Sequence, residues 1–280
     1  MRSAALPLWL LTLGATLAAQ ESMPPLRLQP FELVLQAHWE TLTDTTYHFE
    51  KNFALVRELA PAAKQATYGA SHFEPLLPPD AVEVGALWRF DAAAALPFLR
   101  QLHAGARIEL HADRGAGISA HGAWACLRSL TADYAEIALR VHAEFLIDGD
   151  GADRASSWFT PAQFRGRLAL DRRNGRVVAF QLLVPPSRAN VDLNMHTDDG
   201  TICDIGSIPR LELTSGGFPE LPPDAKRLDE RRADQVLERA FYPFADVEWF
   251  DLAAARKESR ATKKPLHVVL LFGSLTDEAC

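Results

Sequence analysis

Cys280 has the setting that most clearly suggests chemistry in this 280-residue sequence. It follows a nearly continuous apolar segment, residues 266–272, and a short polar loop. Such an apolar segment is typical of a strand that is covered on both faces, and we expect a helix to begin near Cys280. The positive end of a helix favours a thiolate over a thiol, and the thiolate is the attacking species in disulfide exchange. The sequence therefore predicts a reactive sulfur at Cys280.

A covered strand, a polar loop and a cysteine at the start of a helix is the thioredoxin arrangement. The two cysteines of a thioredoxin Cys-x-x-Cys would fall at Asp277 and Cys280, and Asp277 has no thiol. One thiol alone cannot run a dithiol cycle, so we expect a partner residue beyond Cys280. Asp277 and Glu278 oppose activation, because nearby negative charge disfavours a thiolate. The alternative is that the strand packs against the upstream sheet and the chain ends there naturally.

The elements upstream are predicted from apolar spacing, and together they give an α+β fold. Residues 21–68 are predicted to be a helical N-terminal segment, because Phe31, Val34, Leu35, Trp39 and Leu42 recur at helical spacing and a second apolar cluster at 53–59 is followed by a proline. Residues 69–215 are predicted to be a β-rich core of mostly antiparallel strands. The alternation over 137–145 indicates a half-buried strand, and Asn174-Gly175 indicates a hairpin turn. One more strand is expected near Pro209.

The C-terminal part is predicted to be α/β. Residues 216–244 form a linker and a helix, and the apolar face of that helix carries Ala233, Val236, Leu237, Ala240 and Phe241. Residues 245–280 are the start of a thioredoxin-like module, with a short strand from Val247, a helix opened by Asp251 and then the apolar segment 266–272. We expect this module to be cut at its active-site turn.

The first 20 residues predict export. Arg2 precedes an uncharged stretch, residues 4–19, whose last part has small residues that suit cleavage, at Thr16, Ala18 and Ala19. The alternative is an uncleaved anchor that associates the chain with a membrane. The protein would lie in the periplasm or cell envelope, or in the lumen of the endoplasmic reticulum. Lys and Arg number 29 against 36 Asp and Glu, a net charge of −7, which argues against nucleic acid as a partner.

Ordered segments of the chain resemble the selenoprotein N family. They occur in the family's order and spacing between residues 68 and 280, at 71–79, 125–134, 140–148, 158–170, 180–194, 204–213, 237–244 and 264–280. The resemblance implies a thiol- or selenol-disulfide oxidoreductase with no bound cofactor. In that family selenocysteine follows the position that matches Cys280, and its codon is otherwise read as stop. The implied redox pair is Cys280 with a selenocysteine absent from this sequence, and the 280-residue chain would be catalytically inactive.

The implied substrates are cysteine-containing proteins or a peroxide. The alternative function is a protein-binding scaffold module without catalysis of its own, formed by the β-rich core. The sequence leaves the oligomeric state open.

Other residues of chemical interest have simpler interpretations. Animal members of the family carry a calcium-binding EF-hand, but residues 148–159 have Asp153 and Phe159 where that loop needs glycine and glutamate, so we expect a hairpin turn. Cys126 is expected to be a small buried apolar residue, although a disulfide with Cys203 is left open.

No metal site is expected. The histidines His103, His111 and His121 lack metal-ligand spacing. The basic run near the C-terminus is interpreted as a solvated helix end that is favourably placed in the helix dipole. It consists of Arg256, Lys257, Arg260, Lys263 and Lys264. The alternative is a positive field that lowers the pKa of the nearby thiol.

Overall fold

The computed structural model describes residues 22–25, 27–42, 44–108, 123–148, 156–223, 225–241 and 250–268. The predicted export signal, the segment 269–272 and Cys280 lie outside these residues.

The described residues form many strands and few helices. The strands are β1 Ser22–Met23, β2 Glu32–Trp39, β3 Asp44–Thr45, β4 Gln65–Gly69, β5 Val82–Glu83, β6 Leu87–Phe90, β7 Ala106–Arg107, β8 Ala123–Leu130, β9 Tyr134–Val141, β10 Glu144–Leu146, β11 Trp158–Pro161, β12 Phe164–Asp171, β13 Arg176–Leu183, β14 Val191–Thr197, β15 Gly200–Ser207, β16 Leu211–Thr214 and β17 Lys226–Arg227. The helices are α1 Phe49–Asn52, α2 Ala54–Arg57, α3 Ala70–Phe73, α4 Leu96–Leu102, α5 Glu230–Phe241 and α6 Leu252–Thr262, with 3₁₀ turns at Glu74–Leu76 and Ala92–Ala95.

Most strands belong to two sheets. The larger sheet has the order β17-β8-β9-β12-β13-β16-β2-β4, with β6 also paired to β8, and the smaller has the order β3-β15-β14-β11-β10-β7. Every pairing among the described residues is antiparallel. The prediction of a mostly antiparallel β-rich core is therefore confirmed.

The hairpin of β12 and β13 shows why one of the turns was predictable. Asp171 accepts backbone hydrogen bonds from Arg173 and Asn174 at 3.0 and 3.1 Å, which closes the turn locally. Gly175 has a φ of +59°, a conformation that glycine adopts without a steric penalty. The sequence signal Asn174-Gly175 thus predicted the turn correctly.

Both sheets and α4 share one apolar core. Phe98 of α4 stacks on Phe180 of the larger sheet with ring centroids 4.8 Å apart. Trp39 of the larger sheet meets Phe159 of the smaller sheet edge-on at 5.5 Å. Burial of aromatic rings of this size is the main stabilising term expected for such a core.

The predicted helix across residues 31–42 is wrong. Residues 32–39 form β2, which lies between β16 and β4 in the larger sheet. The reason is a second periodicity in the same residues: Leu33, Leu35, Ala37 and Trp39 alternate with residues that face outward. Pairing with two strands favours that alternation over the helical spacing. Short helices do occur near the second apolar cluster, as α1 and α2.

Two further strand predictions need correction. The expected strand over 137–145 is two elements, because β9 ends at Val141 in the larger sheet and β10 lies in the smaller one. Its polar face is not solvated: Arg140 is 1 % exposed and Glu144 4 %. The single strand expected near Pro209 is β15 and β16 in different sheets, with Pro209 in the connection, where its missing N–H is tolerated.

The helix predictions after residue 216 are confirmed. Ala233, Leu237 and Phe241 of α5 are buried against the larger sheet, and Asp251 caps α6 by accepting a hydrogen bond from the N–H of Ala254.

The predicted buried strand is not present at its first three residues. Leu266 and Val268 are 39 % and 56 % exposed, and residues 263–268 belong to no helix or strand. No neighbouring strand among the described residues pairs with them. The thioredoxin-like module is therefore not confirmed. In the part of the chain that the structure describes, no helix is long and apolar enough to cross a bilayer.

Candidate functional site

The predicted reactive sulfur, Cys280, lies outside the described residues, so its prediction is untested. The described thiols are Cys126 and Cys203, and both are free. Cys126 belongs to the larger sheet and Cys203 to the smaller one. The disulfide left open by the sequence is not formed.

Cys126 is buried beneath α5. Its side chain is fully shielded from solvent and packs with Ala138, Ala233 and Leu237. Burial raises the pKa of the Cys126 thiol to about 11. The interpretation as a small apolar residue is confirmed, and a thiol in this state is a poor nucleophile at neutral pH.

Cys203 is exposed on β15 but is held as a hydrogen-bond donor. Its Sγ donates to Oδ1 of Asn194 at 2.9 Å, and Nδ2 of Asn194 donates to Asp192 at 3.1 Å. Partial burial and the negative charge of Asp192 raise the pKa of the Cys203 thiol. This sulfur, too, is held in its protonated form.

A charged cluster lies on the face of the larger sheet that α5 partly covers. Each carboxylate oxygen of Glu136 accepts from one arginine, Arg128 at 2.6 Å and Arg167 at 2.7 Å. The Arg167 guanidinium also lies 4.3 Å from the ring centroid of Phe218 in the predicted linker. Glu136 is 5 % exposed, so this cluster is largely shielded. It joins strands β8, β9 and β12 to the linker.

A second set of contacts holds α5 itself. Arg140 donates to Gln163 at 2.9 Å, and its guanidinium lies 5.5 Å from the ring centroid of Phe241 at the end of α5. Arg165 pairs with Asp234 of α5 at 3.1 Å. Arginine over an aromatic face combines cation–π attraction with packing of the ring. Contacts in the first half of α5 and at its last residue therefore hold this helix on the larger sheet, and the chain continues from there toward Cys280.

Sequence reasoning missed these arginine contacts. Arg140 lies on the polar face of the strand predicted to be half-buried, and Glu136 lies on the same face just before the predicted range. The available signal was α5: its apolar face at Ala233, Leu237 and Phe241 had to cover some sheet, and the polar residues of that sheet then needed partners.

His103 is enclosed by aromatic rings. The ring centroids of Trp39, Phe145 and Phe159 lie 6.0 to 6.2 Å from its own. Its Nδ1 accepts from the N–H of Gly105 at 3.1 Å, which assigns the proton of the neutral ring to Nε2. Burial lowers the pKa of His103.

His111 and His121 lie outside the described residues. Among the described residues, no group of three His, Cys, Asp or Glu side chains could hold a metal ion.

The acidic segment 148–159 connects β10 to β11, which pair as an antiparallel hairpin. The carboxylate of Asp148 accepts from the N–H and the hydroxyl of Ser157, at 2.5 and 3.1 Å. Asp148 thus joins the two ends of the segment, which agrees with the hairpin interpretation; residues 149–155 lie outside the described range.

The basic residues from Arg256 to Lys264 are all exposed, as expected of a solvated helix end.

Comparison with curated proteins gives related sequences. The chain is 28 % identical to Selenoprotein N of Mus musculus, over 78 % of this chain and 48 % of that protein. This chain is related to selenoprotein N. Selenoprotein N of Homo sapiens is 27 % identical over 93 % of this chain and 54 % of its own length, and that of Danio rerio is 28 % identical over 79 % and 48 %.

The resemblance to the selenoprotein N family drawn from the sequence is confirmed by these matches. The chain spans about half the length of the curated relatives that it matches. No protein-family model matches it, and no solved structure matches it.

Proposed function

We propose that the chain belongs to an exported thiol- or selenol-disulfide oxidoreductase in which Cys280 supplies the thiol. The observation that carries this is the state of the other two cysteines. The chain has three cysteines, and the pKa values of Cys126 and Cys203 are both raised. Disulfide exchange needs a thiolate, so Cys280 is the cysteine left to supply it. Its relatives are named as selenoproteins.

The proposed exchange pairs Cys280 with a selenocysteine at the next position. The selenolate attacks one sulfur of a client disulfide, so an Se–S bond forms, the S–S bond breaks and the released thiolate takes a proton. The Cys280 thiolate then attacks the selenium, which frees the second client thiol and leaves a Cys280–selenocysteine bond. The client gains two electrons and the pair loses two, which two molecules of a small thiol restore as they are oxidised to a disulfide. With a peroxide, the selenolate attacks one oxygen, the O–O bond breaks and the other oxygen leaves as water or an alcohol. The Cys280 thiol then displaces the remaining oxygen as water, which forms the same Cys280–selenocysteine bond.

The described core would carry this pair rather than take part in the exchange. The arginine contacts to Phe218 and Phe241 hold the linker and α5 on the larger sheet. These residues precede α6 and the segment that leads to Cys280.

The clients would be cysteine-containing proteins. Residues 1–20 would direct the chain out of the cytoplasm or anchor it to a membrane.

The first test is to read the codon after Cys280 in the gene and to express the product of reading through it. UGA followed by a glycine codon is expected. The read-through protein should reduce a disulfide substrate, and Cys280→Ser should lower its rate at least tenfold because no resolving thiol remains. Cys203→Ser is the matched control and should keep the rate. An ordinary stop codon without coding sequence behind it, or full activity of Cys280→Ser, would contradict the proposal.

A scaffold role without catalysis is the second candidate. It is favoured by the state of the described core, whose two thiols are both held protonated. The 280-residue chain would then bind a partner protein equally well with Cys280→Ser, and its cysteine variants would leave binding affinity unchanged.

A further inference from the structure

Residues 250–268 carry a dense group of exposed positive charges. They comprise α6 with the residues on either side of it, and none of them is buried. Glu258 is the acidic residue in the central part of this segment. Because the whole chain has a net charge of −7, the segment is opposite in sign to the protein as a whole. Five basic residues occur within nine positions, and all five are exposed: Arg256, Lys257, Arg260, Lys263 and Lys264.

The cations within α6 form one stripe along the helix, which we call the basic stripe. Arg256 and Arg260 are four residues apart and Lys257 and Arg260 are three apart, spacings that place side chains next to one another. Glu258 is two residues from either arginine, which at about 100° per residue puts it on the far side of the helix. The partly covered side of α6 carries small residues, Ala254, Ala255 and Ser259. The basic stripe therefore faces outward.

Two further cations are held at the end of this helix. Lys263 has a φ of +56°, and α6 ends there. The hydroxyl of Ser259 donates to the carbonyl of Lys264 at 2.7 Å and keeps that residue near the last turn. Among the described residues, none of the five cations of the segment forms an ion pair with a carboxylate. Their charge is therefore available to an external partner.

Large apolar residues flank the basic stripe and are also exposed. Phe250 and Leu252 precede it and are 52 % and 58 % exposed, and Leu266 and Val268 follow it. A helix that lies on a membrane surface combines these two features, because its cations attract anionic headgroups and its apolar side chains enter the acyl boundary. An acidic protein surface would satisfy the cations alone. The combination therefore favours a lipid surface.

We propose that residues 250–268 dock the protein on the surface of a bilayer that contains anionic lipids. The basic stripe lies against the headgroups, and Phe250 and Leu266 enter the apolar boundary at either end. An anionic surface repels the acidic remainder of the chain, so approach through this segment is favoured. The contact is separate from residues 1–20, and it does not depend on the proposed disulfide exchange because the segment contains no thiol.

Co-sedimentation of the 280-residue chain with lipid vesicles tests the docking. Binding to phosphatidylcholine vesicles with about 30 % phosphatidylglycerol should fall at least tenfold between 50 and 500 mM NaCl, because salt screens the charges. Each basic residue near an anionic surface contributes about fivefold, so Arg256→Gln with Arg260→Gln should weaken binding at least tenfold. Leu266→Ser should weaken it several-fold, because an apolar contact is lost. Arg188→Gln with Arg227→Gln is the matched control, since both arginines are exposed outside the segment and the net charge changes equally. Equal losses for the two arginine pairs would overturn the proposal.

A fluorescent probe shows whether α6 itself meets the bilayer. Thr262→Cys is labelled with an environment-sensitive dye in a Cys203→Ser, Cys280→Ser background, in which the remaining thiol of Cys126 is fully shielded. The emission should shift to the blue on the anionic vesicles, whereas the same dye at Tyr47→Cys, an exposed position on the core, should not shift. An unshifted probe at residue 262 would overturn the proposal. A shift of equal size with poly-glutamate in place of vesicles would identify an acidic protein as the partner and would also overturn it.

Discussion

Two thiols and one histidine of this core are held in their uncharged forms by their surroundings. Burial disfavours the ions of Cys126 under α5 and of His103 among aromatic rings, whereas partial burial and the charge of Asp192 disfavour the thiolate of the exposed Cys203. The consequence is that none of these side chains is prepared for catalysis. The disulfide exchange proposed for this chain therefore falls on Cys280.

His103 predicts a pH dependence of stability. Its pKa is lowered in the folded protein, so the unfolded chain binds the proton more readily. The contribution of His103 is full above the unfolded pKa of about 6.5 and is lost as pH falls below it. Urea unfolding at pH 7.5 and pH 5.5 should show a smaller loss of stability for His103→Gln than for the wild type.

His267→Gln is the control for this experiment, because His267 is exposed. It should leave the pH dependence unchanged. Equal pH dependence in the wild type and in His103→Gln would show that the aromatic enclosure does not oppose protonation.

At the scale of elements, α5 is the part of the structure that joins the sheet to the C-terminal segment. Leu237 is 1 % exposed and packs beside Cys126. Leu237→Ala should lower the free energy of unfolding by about 2–5 kcal/mol, since it removes buried methyl groups and leaves a cavity. Chemical denaturation measures this loss, and alkylation of Cys126 should become faster as α5 loosens.

Leu228→Ala is a matched variant, because Leu228 packs only partly buried against the same cluster. Its loss should be smaller than that of Leu237→Ala. Similar losses for both variants, with Cys126 still protected, would mean that α5 does not depend on this contact.

At the scale of the whole molecule, the larger sheet requires residues from both ends of the core. Strand β2 pairs with β16 through Trp39 and Leu211, and with β4 through Leu33 and Tyr68. A chain that begins at residue 69 lacks β2 and β4 and exposes the edge of β16. It should aggregate or lose its cooperative unfolding transition, whereas a chain that begins at residue 22 should keep it. Circular dichroism melts compare the two, and a cooperative melt of the shorter chain would contradict this expectation.

Sequence reasoning succeeded where one local signal dominated. Asn174-Gly175 predicted its turn and the apolar face of α5 predicted its helix, since turn geometry and helical spacing are read from neighbouring residues. It failed at residues 31–42, where helical and strand spacing coexist and only pairing with β16 and β4 decides. It also failed at Arg140, whose burial depends on α5 packing over a strand from a distant part of the sequence.

The place of β2 has a consequence for the order in which the protein can fold as it is made. The segment leaves the ribosome early, yet its partner Leu211 is synthesised much later. Until then the segment from Leu33 to Trp39 can pair only with β4, so one edge of β2 stays open, and pairings between distant residues form slowly. A chain crossing a membrane during synthesis would therefore need a chaperone to hold its N-terminal part until β16 emerges.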